Sequence, residues 1–162
     1  MGSASRYLDD DGEQEVIAAC QGGRHLLEAA ALCARARVEA YRGNSEPARS
    51  LALRALDLGR AVTYPRFVID AHHVLGFVEL SLGNAGAALP HLETALAGRR
   101  AQGIVEPYLF YFLPDTVEAL IVNDRKDDAE AVLAPFEASA ERCDRAWAIA
   151  TAAWAGPALV TS

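Results

Sequence analysis

Lys126 is the only lysine in the chain. Lysine and arginine together number 15 against 22 Asp and Glu, a formal net charge of -7. A nucleic-acid-binding chain would normally be basic, so direct contact with DNA or RNA is not expected. Arginine in place of lysine follows from GC-rich coding and is given no functional weight. Aromatic residues make up only 7%, which argues against a β-rich fold. Three cysteines, Cys20, Cys33 and Cys143, are odd in number and lack CxxC spacing. Within helical patterns they read as buried, reduced thiols of a cytosolic protein rather than as a disulfide or metal set.

Other absences narrow the function. The N-terminus carries no signal-peptide core, since Met1 to Ser5 leads directly towards Asp9-Asp10-Asp11. The uncharged run Ala146 to Ser162 contains Gly156-Pro157 and falls short of the about 20 strongly apolar residues of a membrane span. A cytoplasmic location is expected. No GxxxxGK[ST] phosphate loop is present, and no cofactor is expected. No Ser/His/Asp motif or adjacent Cys–His pair suggests catalysis, so the expectation is a non-enzymatic chain. His72 and His73 are neighbours, about 100° apart on a helix, and cannot share a metal through i, i+4 spacing. His25 and His91 fall on other elements, and no metal site is expected.

What the chain does have is apolar content, 52%, much of it alanine, which suits close helix packing. Asp70 to Gly98 reads as two helices joined at Gly83-Asn84. Gly76 on the first lets the second approach, and Ala88 and Ala95 offer a flat surface to it. Forty residues earlier stand Gly43-Asn44, Ala48, Ala55 and Leu56, with Ala36 in the place of Gly76. Forty residues later come Asn123-Asp124, followed by Ala129 and Leu133 one residue out of register. A helix pair cannot bury its apolar face alone, so stacked neighbours must supply the core.

In chain order, residues 1–11 read as unstructured. Gln14 to Cys20, within 12–23, forms a short N-terminal helix stopped by Gly22-Gly23. The first repeat spans 24–62: a helix from Arg24 to Arg42 with Leu26, Leu27, Ala30, Cys33, Ala34, Arg37 and Val38 at helical spacings, then one capped by Ser45. The second spans 63–103, opened by Pro65, with Pro90 inside its second helix and expected to bend it. The third spans 104–143. There Pro114 either kinks one long helix or starts a shorter one, with Pro107 to Phe112 as a separate turn. Lys126 to Cys143 follows, with Ala129, Val132, Leu133, Phe136 and Ala140 inward. An incomplete fourth repeat occupies 144–162, its helix capped by Asp144.

Leu75, Gly76, Gly83, Ala88, Leu92, Ala95 and Leu96 resemble the tetratricopeptide pattern, although a period near forty exceeds that repeat's usual thirty-four. The expected fold is all-α, a tetratricopeptide-like helical repeat solenoid of about three helix-turn-helix repeats with a short N-terminal helix and an orphan C-terminal helix. Val74 to Leu96 and Leu113 to Glu137 also resemble segments of the large ATP-binding LuxR-type transcriptional regulators. In that family a helical repeat region lies between a nucleotide-binding module and a C-terminal helix-turn-helix. The resemblance covers roughly residues 24 to 156. It implies the signal-sensing repeat region, with flanking ATPase and DNA-binding domains supplied elsewhere, and it transfers no ligand residue. The alternative is a free-standing tetratricopeptide adaptor for a protein or peptide.

In helical solenoids the first helix of each pair lines the concave side. Carrying positions across the repeats nominates Arg37, Tyr41, His73, Phe77, Tyr111, Asp115 and Glu118. Such a mix of aromatic and charged groups suits a protein, a peptide or a small polar inducer. The C-terminal helix would present Trp147 and Trp154 without a partner, and is expected either to form a two-fold homodimer or to fray after about Ala155.

Overall fold

The computed structural model describes residues 10–103, 107–144, 146, 149 and 150. They are all-α, with no strand among them. Six helices run in order: α1 Asp10–Tyr41, α2 Ser45–Ala61, α3 Pro65–Ser81, α4 Ala85–Ala101, α5 Leu113–Val122 and α6 Lys126–Arg142. A 3-10 turn, Pro107–Phe110, precedes α5. Trp147, Trp154 and most of the expected C-terminal helix lie outside the described residues.

The turns carry the repeat. Positive-φ residues stand at Gly43, Thr63, Gly83, Gly103, Asp124 and Asp144, spaced by twenty residues and once by twenty-one. Gly43 and Gly83, at φ 79° and 80°, occupy the left-handed region at little steric cost. Beyond four of the helices a backbone N–H reaches back five residues: Asn44 to Glu39, Tyr64 to Gly59, Asn84 to Glu79 and Arg125 to Leu120, all at 2.9–3.0 Å. These bonds satisfy carbonyls that a helix end leaves open. The single twenty-one-residue interval falls between Gly103 and Asp124, where the 3-10 turn interrupts the third unit, and it accounts for the one-residue slip at Ala129 and Leu133.

Each helix lies against its successor, and α1 touches α3 as α3 touches α5. The odd-numbered helices thus stand in a row. Ten of the seventeen residues of α3 are buried, including Asp70, His72 and His73. One core joins α1, α2 and α3 through Ala29, Ala36, Ala48, Ala52, Ala55 and Ala71, all at 0% exposure. A second joins α4, α5 and α6 through larger side chains, among them Leu92, Phe112, Leu113, Leu120 and Phe136.

Several local expectations are corrected. The separate N-terminal helix does not exist: α1 is one helix of 32 residues running through Gly22 and Gly23. Neither glycine takes a positive φ. Each costs about 1 kcal/mol of propensity, which weakens a helix without ending it. On α1 the buried line is Ala29, Leu32, Cys33, Ala36 and Ala40, while Leu27 and Val38 are 73% and 46% exposed and Ala34 is exposed. Small residues win that face because α2 brings Ala48, Ala52 and Ala55 against it. Asn44, not Ser45, holds the cap position of α2, and its side chain is bound to Glu39 at 2.7 Å rather than to the helix. Pro114 lies in the first turn of α5, where a missing N–H costs nothing. α4 continues through Pro90, as α6 does through Pro135. Cys33 is buried, but Cys20 is exposed and Cys143 half-buried at the end of α6.

Candidate ligand-binding face

Helical spacing sets out three short stripes on the row of odd helices. Arg37 and Tyr41 are four apart on α1. Asp70, His73 and Phe77 follow one face of α3. Tyr111 and Asp115, also four apart, bracket the start of α5. The fold brings these stripes into contact.

At the centre, Arg37 Nη2 donates to the Tyr111 hydroxyl at 2.8 Å, and that hydroxyl donates to Asp70 Oδ1 at 2.9 Å. The Arg37 guanidinium also lies 4.9 Å from the Tyr111 ring centroid, within cation–π range. Burial, followed by the neighbouring Asp70 carboxylate, pushes the Tyr111 hydroxyl well above the usual phenol range, so it keeps its proton as the donor. Beside it, a His73 ring nitrogen meets Asp115 Oδ2 at 3.0 Å. The His73 ring is enclosed by Tyr111 and Phe112, with centroids at 5.0 and 5.7 Å. Near the C-terminal ends of α1 and α3, Tyr41 stands edge-on to Phe77 at 5.2 Å.

Six of the seven nominated residues are therefore joined in one array. Glu118 is not: it is exposed and makes no hydrogen bond or ion pair among the described residues. Asp115 and Glu118 share a helical face, but the partner of Asp115 is His73.

Sequence reasoning missed Asp70, the hub. Its carboxylate has three guanidiniums around it, from Arg66 at 3.7 Å, Arg99 at 3.7 Å and Arg37 at 4.0 Å. All three distances exceed hydrogen-bond range. Arg99, only 3% exposed, has Gln102 Oε1 at 3.5 Å as its hydrogen-bond partner. Buried Nε atoms of Arg37 and Arg99 and Nδ1 of His73 have no partner among the described residues. One carboxylate facing three cations leaves local positive charge in an acidic chain. Asp70 lies one turn before His73 on the same stripe, so extending the transferred positions by three residues would have found it. Arg99 gave no such signal, because it comes from α4.

On another side of α3, His72 Nδ1 meets His91 Nδ1 of α4 at 3.0 Å. Burial, then the nearby His91, lowers His72 to about 4. Burial also lowers His91. Both rings are neutral near pH 7, one donating to the other. Among the described residues no group of three or more His, Cys, Asp or Glu is placed to hold a metal ion, and no helix is long and apolar enough to cross a membrane.

No family model matches the chain, and neither a curated protein nor a solved structure matches it. The described residues form an all-helical fold whose third helix carries a buried carboxylate shared by neighbours on both sides.

Proposed function

We propose that this chain is a non-enzymatic interaction module of tetratricopeptide-like repeat type, and that the row of α1, α3 and α5 receives a protein, a peptide or a small polar inducer. The observation that carries this reading is the Arg37–Tyr111–Asp70 link. It ties α1 and α3 to the turn that leads into α5, beside Tyr41, which is 64% exposed, and a partly exposed Phe77 and Asp115. Aromatic edges next to a fixed guanidinium are the usual anchors of protein recognition. The non-enzymatic part rests on accessibility. His73 is 2% exposed, and its second ring nitrogen is buried without a partner among the described residues, so the His73 imidazole presents no base to a substrate. The Cys33 thiol is pushed up to about 12 by burial, with Asp70 adding to it, which removes it as a nucleophile.

The twenty-residue spacing of the turns supports the repeat assignment. Resemblance of Val74 to Leu96 and Leu113 to Glu137 to LuxR-type regulators supports a place as the sensing repeat region of such a cytoplasmic regulator, with its ATPase and DNA-binding functions on flanking domains. A peptide array probed with the chain, followed by amide shift mapping of the hits, tests the site. Perturbations should converge on Arg37, Tyr41, Phe77 and Asp115, and Arg37→Ala with Tyr41→Ala should abolish binding. Hits that map to the outer faces of α2 and α4 would overturn this face as the receptor.

A further inference from the structure

The third helix pair is built unequally. α5 has ten residues, while α4 before it and α6 after it have seventeen each. A three-residue turn joins α5 to α6, so the two run antiparallel from that turn, and the last seven residues of α6 extend past the start of α5. Pro114 in the first turn of α5 is one reason the helix does not begin earlier, because a longer helix would put the proline in its interior, where the missing N–H and the ring break the hydrogen-bond ladder. The 3-10 turn touches α4 and α6 there but does not fill the space.

What remains is a cavity of about 380 Å3 between α4, the 3-10 turn, α5 and α6. Its volume falls within the range of small-molecule sites, about 300–1,000 Å3. The floor is apolar, made by Leu96, Phe110, Leu113, Val132 and Phe136. Arg100 and Arg142 line the same cavity and are exposed. Neither side chain forms an ion pair or hydrogen bond among the described residues. Each also sits in the last turn of its helix, where the helix dipole favours a cation. The dipole accounts for a cation at each end, but not for two unpaired guanidiniums beside one apolar cavity.

We propose that this cavity binds a small amphipathic carboxylate, its acyl or aryl body against Leu96, Phe110 and Phe136 and its carboxylate between Arg100 and Arg142. A neutral apolar molecule would fill the floor and leave both guanidiniums solvated as before. A carboxylate adds charge-assisted hydrogen bonds of the kind guanidinium geometry favours. The site is separate from the Arg37–Tyr111–Asp70 face, and it stands whether or not that face binds a partner.

Titration calorimetry of the full chain with sodium octanoate and with 1-octanol tests it. Octanoate should saturate at one per chain, and octanol should bind at least about tenfold more weakly, which corresponds to about 1.4 kcal/mol. The double variant Arg100→Gln, Arg142→Gln changes only exposed side chains and should lose at least about tenfold in octanoate affinity with an unchanged helical circular dichroism melt. Val132→Trp, which fills the cavity, should abolish octanoate binding. Absence of saturable octanoate binding, equal affinity for octanol, or an unchanged double variant would each overturn the proposal. So would self-association of the wild type that Val132→Trp removes, because the floor would then be a contact between copies.

Discussion

A Cβ placed on Gly76 would lie 2.6 Å from Cγ and 2.8 Å from Cδ2 of Leu92, and 3.3 Å from the Ala88 carbonyl. Leu92 is fully buried and has nowhere to retreat. Helix α4 therefore rides on α3 at a distance that only glycine permits.

The same substitution should have opposite signs at two places. Alanine gains about 1 kcal/mol over glycine in a helix interior, whereas overpacking a filled core costs about 1–3 kcal/mol. Gly76→Ala should be destabilising on balance and Gly76→Leu more so. At Gly22 and Gly23 an added Cβ meets nothing within 4 Å, so Gly23→Ala should stabilise by up to about 1 kcal/mol. Urea unfolding of the three variants measures this. A Gly76→Leu protein as stable as the wild type would remove Gly76 from the helix contact.

Thr63 holds φ 52° at the turn between α2 and α3, a left-handed conformation that disfavours β-branched residues by about 1–2 kcal/mol. Thr63→Gly should raise the melting temperature, against the ordinary entropic cost of adding a glycine. A lower melting temperature would show that the threonine side chain compensates for its backbone.

Removing the Tyr111 hydroxyl and removing the Asp70 carboxylate should differ in cost. Tyr111→Phe loses two hydrogen bonds and leaves Asp70 one donor short, a loss of about 1–3 kcal/mol. Asp70→Ala leaves Arg37, Arg66 and Arg99 without their shared anion, and breaking a buried pair in this way costs about 3–5 kcal/mol. Equal losses in chemical denaturation would mean that the carboxylate acts only as the acceptor for Tyr111.

Acid should weaken the α3–α4 contact before it titrates most carboxylates. The folded state lowers His72 from 6.5 to about 4 and lowers His91 as well. The unfolded chain thus binds more protons than the native one between those values, and stability rises with pH there. It should be flat above about pH 7 and decline from about 6.5 towards 4, by on the order of 1 kcal/mol at pH 5. Melts from pH 7 to pH 5 should show this slope in the wild type and a reduced one in His72→Gln. Identical slopes would place the proton uptake elsewhere.

Native alkylation should sort the cysteines by exposure. Cys20 is exposed, Cys143 half-buried and Cys33 buried, with its thiol pushed up to about 12 and its sulfur 3.7 Å from the Phe67 carbonyl. Iodoacetamide followed by mass spectrometry should label Cys20 first and Cys33 only on unfolding. Early labelling at Cys33 would show that α1 opens from α2 and α3 in the native state.

Helix positions were legible because their causes are local. Gly43 and Gly83 stop helices by their own conformational freedom, and Pro65 starts one because its missing N–H has no cost in a first turn. The nomination of Arg37, Tyr41, His73, Phe77, Tyr111, Asp115 and Glu118 likewise drew only on helical spacing and on positions carried across the repeats. Spacing along a helix states which side chains share a face, but not which neighbour that face meets. Tyr111 reaches Asp70 across 41 residues and Arg37 across 74, and His72 finds His91 on the following helix. Whether Gly22-Gly23 breaks α1 was likewise undecided locally, since a glycine pair permits a stop without requiring one. Period and turns were set by the sequence through interactions within a few residues. The charge hub at Asp70, the histidine pair and the cavity beside the short α5 were decided by packing between helices, which fixes distances that no local pattern encodes.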